Sequence, residues 1–299
     1  MAAGLYRIQP FRGTVNENEA ILAFVDEYSR NAEAYDANVV PRFRPFAEKL
    51  VAQAALKPHA TVLDVSTGTG LTAILAAKAM AGTGLVVGID LADGALAVAQ
   101  TNAARANLRN LRFEMLDARN IVYRSGTFDT ALSSFGLSAV GHEQTLREIH
   151  RVLKDGASFH LVTWGPPGPG GTTWREALAK HRAGTPSAAL AAVREADAMI
   201  RGIAESAGLT DPSVVPAKMR AAGFADVRAE PESGATVFAT LDDYVAWWMG
   251  FGDHERELQE MNDGARSVFR RDLEERLAGF RGDDGFRVPW NVVYYRARK

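Results

Sequence analysis

The chain has 299 residues and a formal net charge of −2, from 34 Lys and Arg against 36 Asp and Glu. That balance excludes a globally cationic nucleic-acid binder, and 47% hydrophobic residues exclude a disordered chain. The absence of cysteine removes disulfides, thiolate nucleophiles, iron–sulfur clusters and Cys-type zinc sites together. The segment from Met1 to Arg12 has no continuous apolar stretch of the signal-peptide kind, and no window approaches the ~18 apolar residues of a membrane helix. A soluble cytoplasmic protein is expected, without membrane or nucleic-acid partner and with a homodimer admissible.

Taken in chain order, Thr61–Val65 is a short apolar run ending in turn residues, and Leu71–Ala81 is Ala- and Leu-rich and helical. Gly84–Asp90, Leu111–Asp117 and Phe128–Ser134 are further strand-like runs, with a helix over Gly94–Ala106 and another over Gln144–Leu153 before a fifth strand at Ala157–Trp164. Strands alternating with helices of ~10–15 residues predict an α/β fold, a doubly wound, Rossmann-like and mostly parallel sheet. Residues 165–171 are all Gly or Pro, a composition that reads as neither helix nor central strand and suits either a joint beneath a lid or a fixed extended linker. Beyond it, Thr185-Pro186 opens a helix running to Ala207 with Gly208 as its cap, and Asp211-Pro212 opens another. Ala225–Ala229 and Val288–Arg298 read as late strands, one of them antiparallel, around a helical insert that starts at Thr240-Leu-Asp-Asp243 and carries Tyr244, Trp247 and Trp248. The expected division is a helical cap in 1–54, a cofactor-binding core in 55–165, a helical insert or lid in 166–216, and completion of the sheet in 217–299 with an insert near 240–282.

The chemistry concentrates where the first strand meets its helix, Val62-Leu-Asp-Val-Ser-Thr-Gly-Thr-Gly70. Gly68 and Gly70 permit a tight turn and close ligand approach, and the helix start offers unpaired N–H groups with the positive dipole end. Gly68-x-Gly70-x-x-Ala73 also fits a dinucleotide fingerprint. Asp64, however, lies four residues before Gly68, where a carboxylate suits a ligand ammonium. Asp90 ends the second strand, 20 residues after Gly70, where it can accept from both hydroxyls of a ribose. Asp117 ends the third strand, within reach of an adenine amino group.

These residues resemble the class I S-adenosylmethionine-dependent methyltransferases, most closely the ubiquinone/menaquinone methyltransferase-like group acting on small molecules. The first motif is Asp64-Val-Ser-Thr-Gly-Thr-Gly70, and the second motif's acid matches Asp90 in Gly88-Ile-Asp-Leu91. The third motif matches Asp117-Ala118, the fourth Ser133-Ser134-Phe135, and the fifth Glu148-Ile-His-Arg-Val-Leu-Lys-Asp-Gly156. Tyr35-Asp36 with Pro41 is similar to the family's N-terminal helix over the cofactor. The resemblance implies S-adenosylmethionine as cofactor, bound by Tyr35, Asp64, Ser66, Gly68, Gly70, Asp90, Leu91, Asp117, Ala118 and Ser134. It implies methyl transfer to an O, N or C atom of a small-molecule acceptor in quinone-like or secondary metabolism. One departure is Ser66 where the family has its first glycine. Relatives of this fold also bind the cofactor while catalysing cyclisation, and a non-catalytic binding protein is a third possibility.

For the acceptor, His142 is the candidate general base, lying just past the fourth strand with a side chain whose ordinary pKa suits neutral pH. Trp164, at the end of the fifth strand, and one of Trp247 and Trp248 are expected to line an acceptor pocket, with the other packed inward and Trp290 in the core. No metal-ligand spacing, nucleophile elbow or Gly-Lys-Ser/Thr phosphate turn is present.

Overall fold

The computed structural model describes residues 16–137, 141–182, 184–209 and 211–299. The N-terminal segment read for signal-peptide character and residues 138–140 beside His142 therefore lie outside the described residues. Eight strands form one sheet: β1 Thr61–Val65, β2 Leu85–Asp90, β3 Leu111–Met115, β4 Phe128–Ser134, β5 Leu153–Trp164, β6 Ala225–Phe238, β7 Arg281–Gly282 and β8 Gly285–Arg298. Their order is β3-β2-β1-β4-β5-β8-β6, with β7 pairing β8. The pairs β1–β2, β2–β3, β1–β4 and β4–β5 are parallel, and β8 runs antiparallel to β5 and β6. The order reverses between β1 and β4, and a doubly wound sheet binds its ligand in the crevice at that reversal.

Alternation along the strands divides the core. Leu63, Val65, Val87 and Ile89 pack with Leu146 and Ile149 of α6 (His142–Val152) and with Val215 and Met219 of α9 (Val214–Ala221). Val62 and Val86 turn the other way, against Ala73, Ala76 and Ala77 of α4 (Leu71–Ala79) and Val51 of α3 (Val40–Ala54). Strands covered on both faces read as continuous apolar runs, which is why the sequence showed them plainly.

The remaining helices, which include those of the expected cap, are α1 Glu17–Arg30, α2 Ala32–Asn38, α5 Asp93–Arg105, α7 Pro169–His181, α8 Ala188–Ala207, α10 Leu241–Met249, α11 Gly252–Glu260 and α12 Asp263–Leu277. A second core joins Trp174, Tyr244, Phe269 and Leu273 to Phe238, Phe286 and Val288. It stands on the outer halves of β6 and β8, which pair without a break from Arg228↔Arg296 to Phe238↔Phe286.

Three expectations change. The Gly/Pro run is not wholly non-helical, because Pro169 takes the first position of α7, where a missing N–H costs nothing. The run is bonded to the sheet and to α10: Gly165 N–H donates to Asn291 C=O (2.9 Å), Asn291 Nδ2 donates to Pro166 C=O (3.0 Å), and the buried Tyr244 hydroxyl donates to Gly170 C=O (2.9 Å). Helices α8 and α9 start later than the Pro residues suggested, from Ser187, whose Oγ accepts from Leu190 N–H (3.2 Å), and from Ser213.

Candidate active site

Two neighbouring cavities are present, the first of them at the reversal point. The first, about 280 Å³, is floored by the β1–α4 turn and by the ends of β2, β3 and β4. Helix α1 roofs it with Ile21, Phe24, Val25 and Tyr28, joined by Tyr35 of α2 and Ile200 of α8. The second, about 360 Å³, lies between the sheet end and the cap, and shares Phe24 and Tyr28 with the first.

Eight of the ten expected cofactor residues line the first cavity: Tyr35, Ser66, Gly68, Asp90, Leu91, Asp117, Ala118 and Ser134. Gly68 adopts φ +54°, and a Cβ built there would meet no atom within 4 Å, so the backbone faces open space. Ser66 shares the left-handed conformation, φ +56°, which an L side chain adopts at a cost of ~1–2 kcal/mol. Its Cβ fits because position 136 is glycine: a Cβ on Gly136 would lie 2.5 Å from that of Ser66. The departure from the family's glycine at 66 is thus matched by the residue facing it.

Asp90 clamps the cavity floor. Its Oδ2 accepts from Gly68 N–H (2.8 Å) and its Oδ1 from Ala92 N–H (2.9 Å), while burial holds its carboxyl above the usual range. Asp117 faces the same space, gripped by Arg119: Nε and Nη2 of the guanidinium reach its oxygens at 2.7–3.1 Å and the Arg119 amide donates at 2.8 Å. Burial is outweighed by these bonds, and the carboxyl lies below its usual range. Arg119 Nη1 also donates to Asn18 Oδ1 (2.9 Å), tying α1 to the sheet end. Arg119 was missed from sequence because its role depends on a neighbour 101 positions away.

Two expected residues stand behind the surface. Gly70, φ +88°, caps α4, and a Cβ there would press on Phe113 at 2.9 Å. Asp64 is 1% exposed and does not line the cavity. Its Oδ2 accepts from the Thr67 hydroxyl (2.6 Å), its Oδ1 has no hydrogen-bond partner at normal distance among the described residues, and burial pushes the carboxyl up to about 7 against stabilisation by that hydroxyl and the Ala73 backbone. An orphaned carboxylate oxygen against the turn fits a ligand with a cationic head, as S-adenosylmethionine has.

His142 is placed differently from the expectation. It is buried in the first turn of α6 and lines neither cavity; Thr145, one turn later, is the α6 residue at the first cavity. The aromatic residues lie differently from the expectation that one of Trp247 and Trp248 packs inward and Trp290 sits in the core. Trp164, Trp247, Trp248 and Trp290 all line the second cavity, so Trp247 and Trp248 are both pocket walls and Trp290 is not simply core. Trp290 finds room because position 234 is glycine, where a Cβ would fall 2.4 Å from the indole. His254 also lines this cavity, buried between Trp174 and Trp248 (5.6 and 5.1 Å between ring centres), with Asp253 Oδ2 3.5 Å from its Nδ1. Among the described residues no cluster of His, Asp and Glu could hold a metal ion.

Residues 62–156 match the methyltransferase domain family. Over 146 residues the chain is 32% identical to a demethylmenaquinone methyltransferase of Symbiobacterium thermophilum, an alignment spanning 47% of this chain and 58% of that enzyme. Over residues 62–156 the chain is thus similar to S-adenosylmethionine-dependent methyltransferases. A second methyltransferase relative, the nocamycin O-methyltransferase of Saccharothrix syringae, is 28% identical over 74% of this chain and 79% of its own length. The YcgJ protein of Bacillus subtilis shares the fold, with a TM-score of 0.54 and 18% identity over 85% of this chain and 98% of that one. The β1–α4 turn that floors the first cavity lies within the matched segment, whereas the residues lining the second cavity lie outside it.

Proposed function

We propose that this methyltransferase transfers a methyl group from S-adenosylmethionine, held in the first cavity, to a small planar acceptor held in the second. The observation that carries the reading is the shared wall: Phe24 and Tyr28 border both cavities, so donor and acceptor chambers are neighbours. The quinone-related and O-methyltransferase relatives support an acceptor of quinone-like or secondary metabolism. When bound, the cofactor supplies an activated methyl group on a sulfonium.

The chain's own residues then bind, align and exclude water. Asp90 accepts from the ribose hydroxyls, Asp117 with Arg119 borders the adenine, and Asp64 compensates the methionine ammonium through the turn it supports. Ser66, Gly68 and Ser134 form the backbone cradle, and Tyr35 covers it. Trp164 and Trp247 hold the acceptor's plane. An oxygen acceptor must lose a proton. Since His142 lines neither cavity, we assign that proton to His254, which burial keeps below its ordinary pKa and so neutral and able to accept. No described helix is long and apolar enough to cross a membrane.

A panel of planar phenols, amines and carboxylic acids incubated with the protein and S-adenosylmethionine tests this by mass spectrometry. A product one CH₂ unit heavier, with one equivalent of S-adenosylhomocysteine, is expected. Acceptor consumed without that gain contradicts methyl transfer and favours cyclisation-type chemistry.

A further inference from the structure

The second cavity holds charges the cofactor does not use. At one end Arg201 pairs with Asp197, and Asp253 stands beside His254. Arg175, exposed at the rim, adds a further guanidinium to this end. At the other end, beyond the indole of Trp247, is Arg42 of α3. Its Nη1 donates to Asn38 C=O (2.9 Å) and its guanidinium lies 4.7 Å from the centre of the Phe238 ring, which in turn lies tilted against Trp247 with 5.6 Å between ring centres. Among the described residues it has no carboxylate within ion-pair distance. Asp243 is the nearest acid to influence it, and that carboxylate is engaged in the α10 cap with Thr240 N–H (2.9 Å) and hydroxyl (2.8 Å).

A half-buried guanidinium on an apolar wall is an unfavourable arrangement unless an anion completes it. Burial indeed lowers the Arg42 pKa, which a nearby carboxylate would oppose. Its planar fork matches a carboxylate through two parallel hydrogen bonds, and the surrounding indoles match a flat ring.

We propose that the second cavity selects a planar organic acid, whose carboxylate is met by Arg42 while its ring lies among Trp164, Trp247 and Trp290. The carboxylate is the handle by which the acceptor is oriented. The inference rests on assigning this cavity to the acceptor. It separates substrates that Trp packing alone would treat alike: a naphthoate and its neutral carboxamide have nearly the same shape and ring.

The test uses 1-naphthoate and 1-naphthamide, titrated by calorimetry into the S-adenosylhomocysteine-loaded protein, wild type and Arg42→Gln. Naphthoate should bind at least about tenfold more tightly than the amide in the wild type, since hydrogen bonds to charged groups are worth that much. Arg42→Gln should abolish the preference without changing S-adenosylhomocysteine affinity. Arg42→Lys, keeping the charge without the fork, should retain part of it, and decides the matter if the glutamine variant fails to fold. Equal affinities in the wild type, an unchanged preference in Arg42→Gln, or no binding of naphthoate overturns the proposal. Failure of S-adenosylhomocysteine to bind, with the Arg42-dependent preference intact, overturns the cofactor reading and leaves the anion site standing.

Discussion

Asp64 and His160 sit within the sheet with pKa values moved in opposite directions, and their effects on stability oppose each other. Burial raises Asp64 from 3.8 to about 7. The folded state therefore prefers the protonated carboxyl, and stability is lost as pH rises from about 4 to about 7, at ~1.4 kcal/mol per unit, or about 4 kcal/mol in all. Burial, with Arg296 and Arg298 nearby, lowers His160 from 6.5 to about 4. The folded state prefers the neutral ring, so stability is present above pH 6.5 and is lost as pH falls toward 4, by about 3 kcal/mol. In the cofactor-free wild type these two trends should nearly cancel between pH 4 and 7. Asp64→Asn should be the more stable protein at pH 7, with stability that climbs with pH, whereas His160→Gln should show stability that declines with pH. Urea unfolding at pH 4.5, 5.5 and 6.5 reads all three profiles, and parallel profiles would dismiss both assignments. The position of Asp64 was legible in the sequence, four residues before Gly68. That it supports the turn from beneath was not, because depth depends on what the rest of the chain covers.

Helix α1 shows how an element outside the sheet completes the site. It contributes four residues to the roof of the first cavity and is held at both ends. Glu27, nearly buried, receives the Arg256 guanidinium (2.7 Å), and Asn31 Nδ2 donates to Met249 and Gly250 carbonyls (2.7 and 2.9 Å). Its approach to α5 depends on Gly94, where a Cβ would fall 2.1 Å from Ser29 C=O. Gly94→Ala should lift α1, weakening S-adenosylhomocysteine binding by at least about tenfold and raising hydrogen exchange across 17–30, while β1 to β5 keep their protection. Unchanged affinity would mean that α1 is not the roof. Strands β1, β2 and β4 were legible to within a residue because each is a buried apolar run, whereas β5 starts four residues before the expected Ala157 and β3 is only partly buried. The length of β6 was not legible, because Pro231 and Gly234 interrupt the strand pattern. They are tolerated because β6 is the edge strand, where Pro231 pairs with Val293 and Gly234 makes space for Trp290.

At the scale of the whole molecule, the two cavities differ in how they are encoded. The first is built mainly from consecutive strand ends, so ordered acids and glycines at regular spacing disclosed it. The second draws on Arg42, Trp164, Trp247 and Trp290, which come from one face of α3, the end of β5, α10 and the outer half of β8. No local spacing joins those positions, and only the long β6–β8 ribbon with its helical core brings them together. The adjacency of the cavities matters only if the first holds the cofactor. Calorimetric titration of S-adenosylhomocysteine into the wild type and Asp90→Ala measures this directly. The expected result is saturable one-to-one binding to the wild type, weakened by ~10–150-fold in the variant through loss of hydrogen bonds to a charged group. A folded wild type that does not bind, or equal affinity in the folded Asp90→Ala variant, would contradict the assignment of the first cavity.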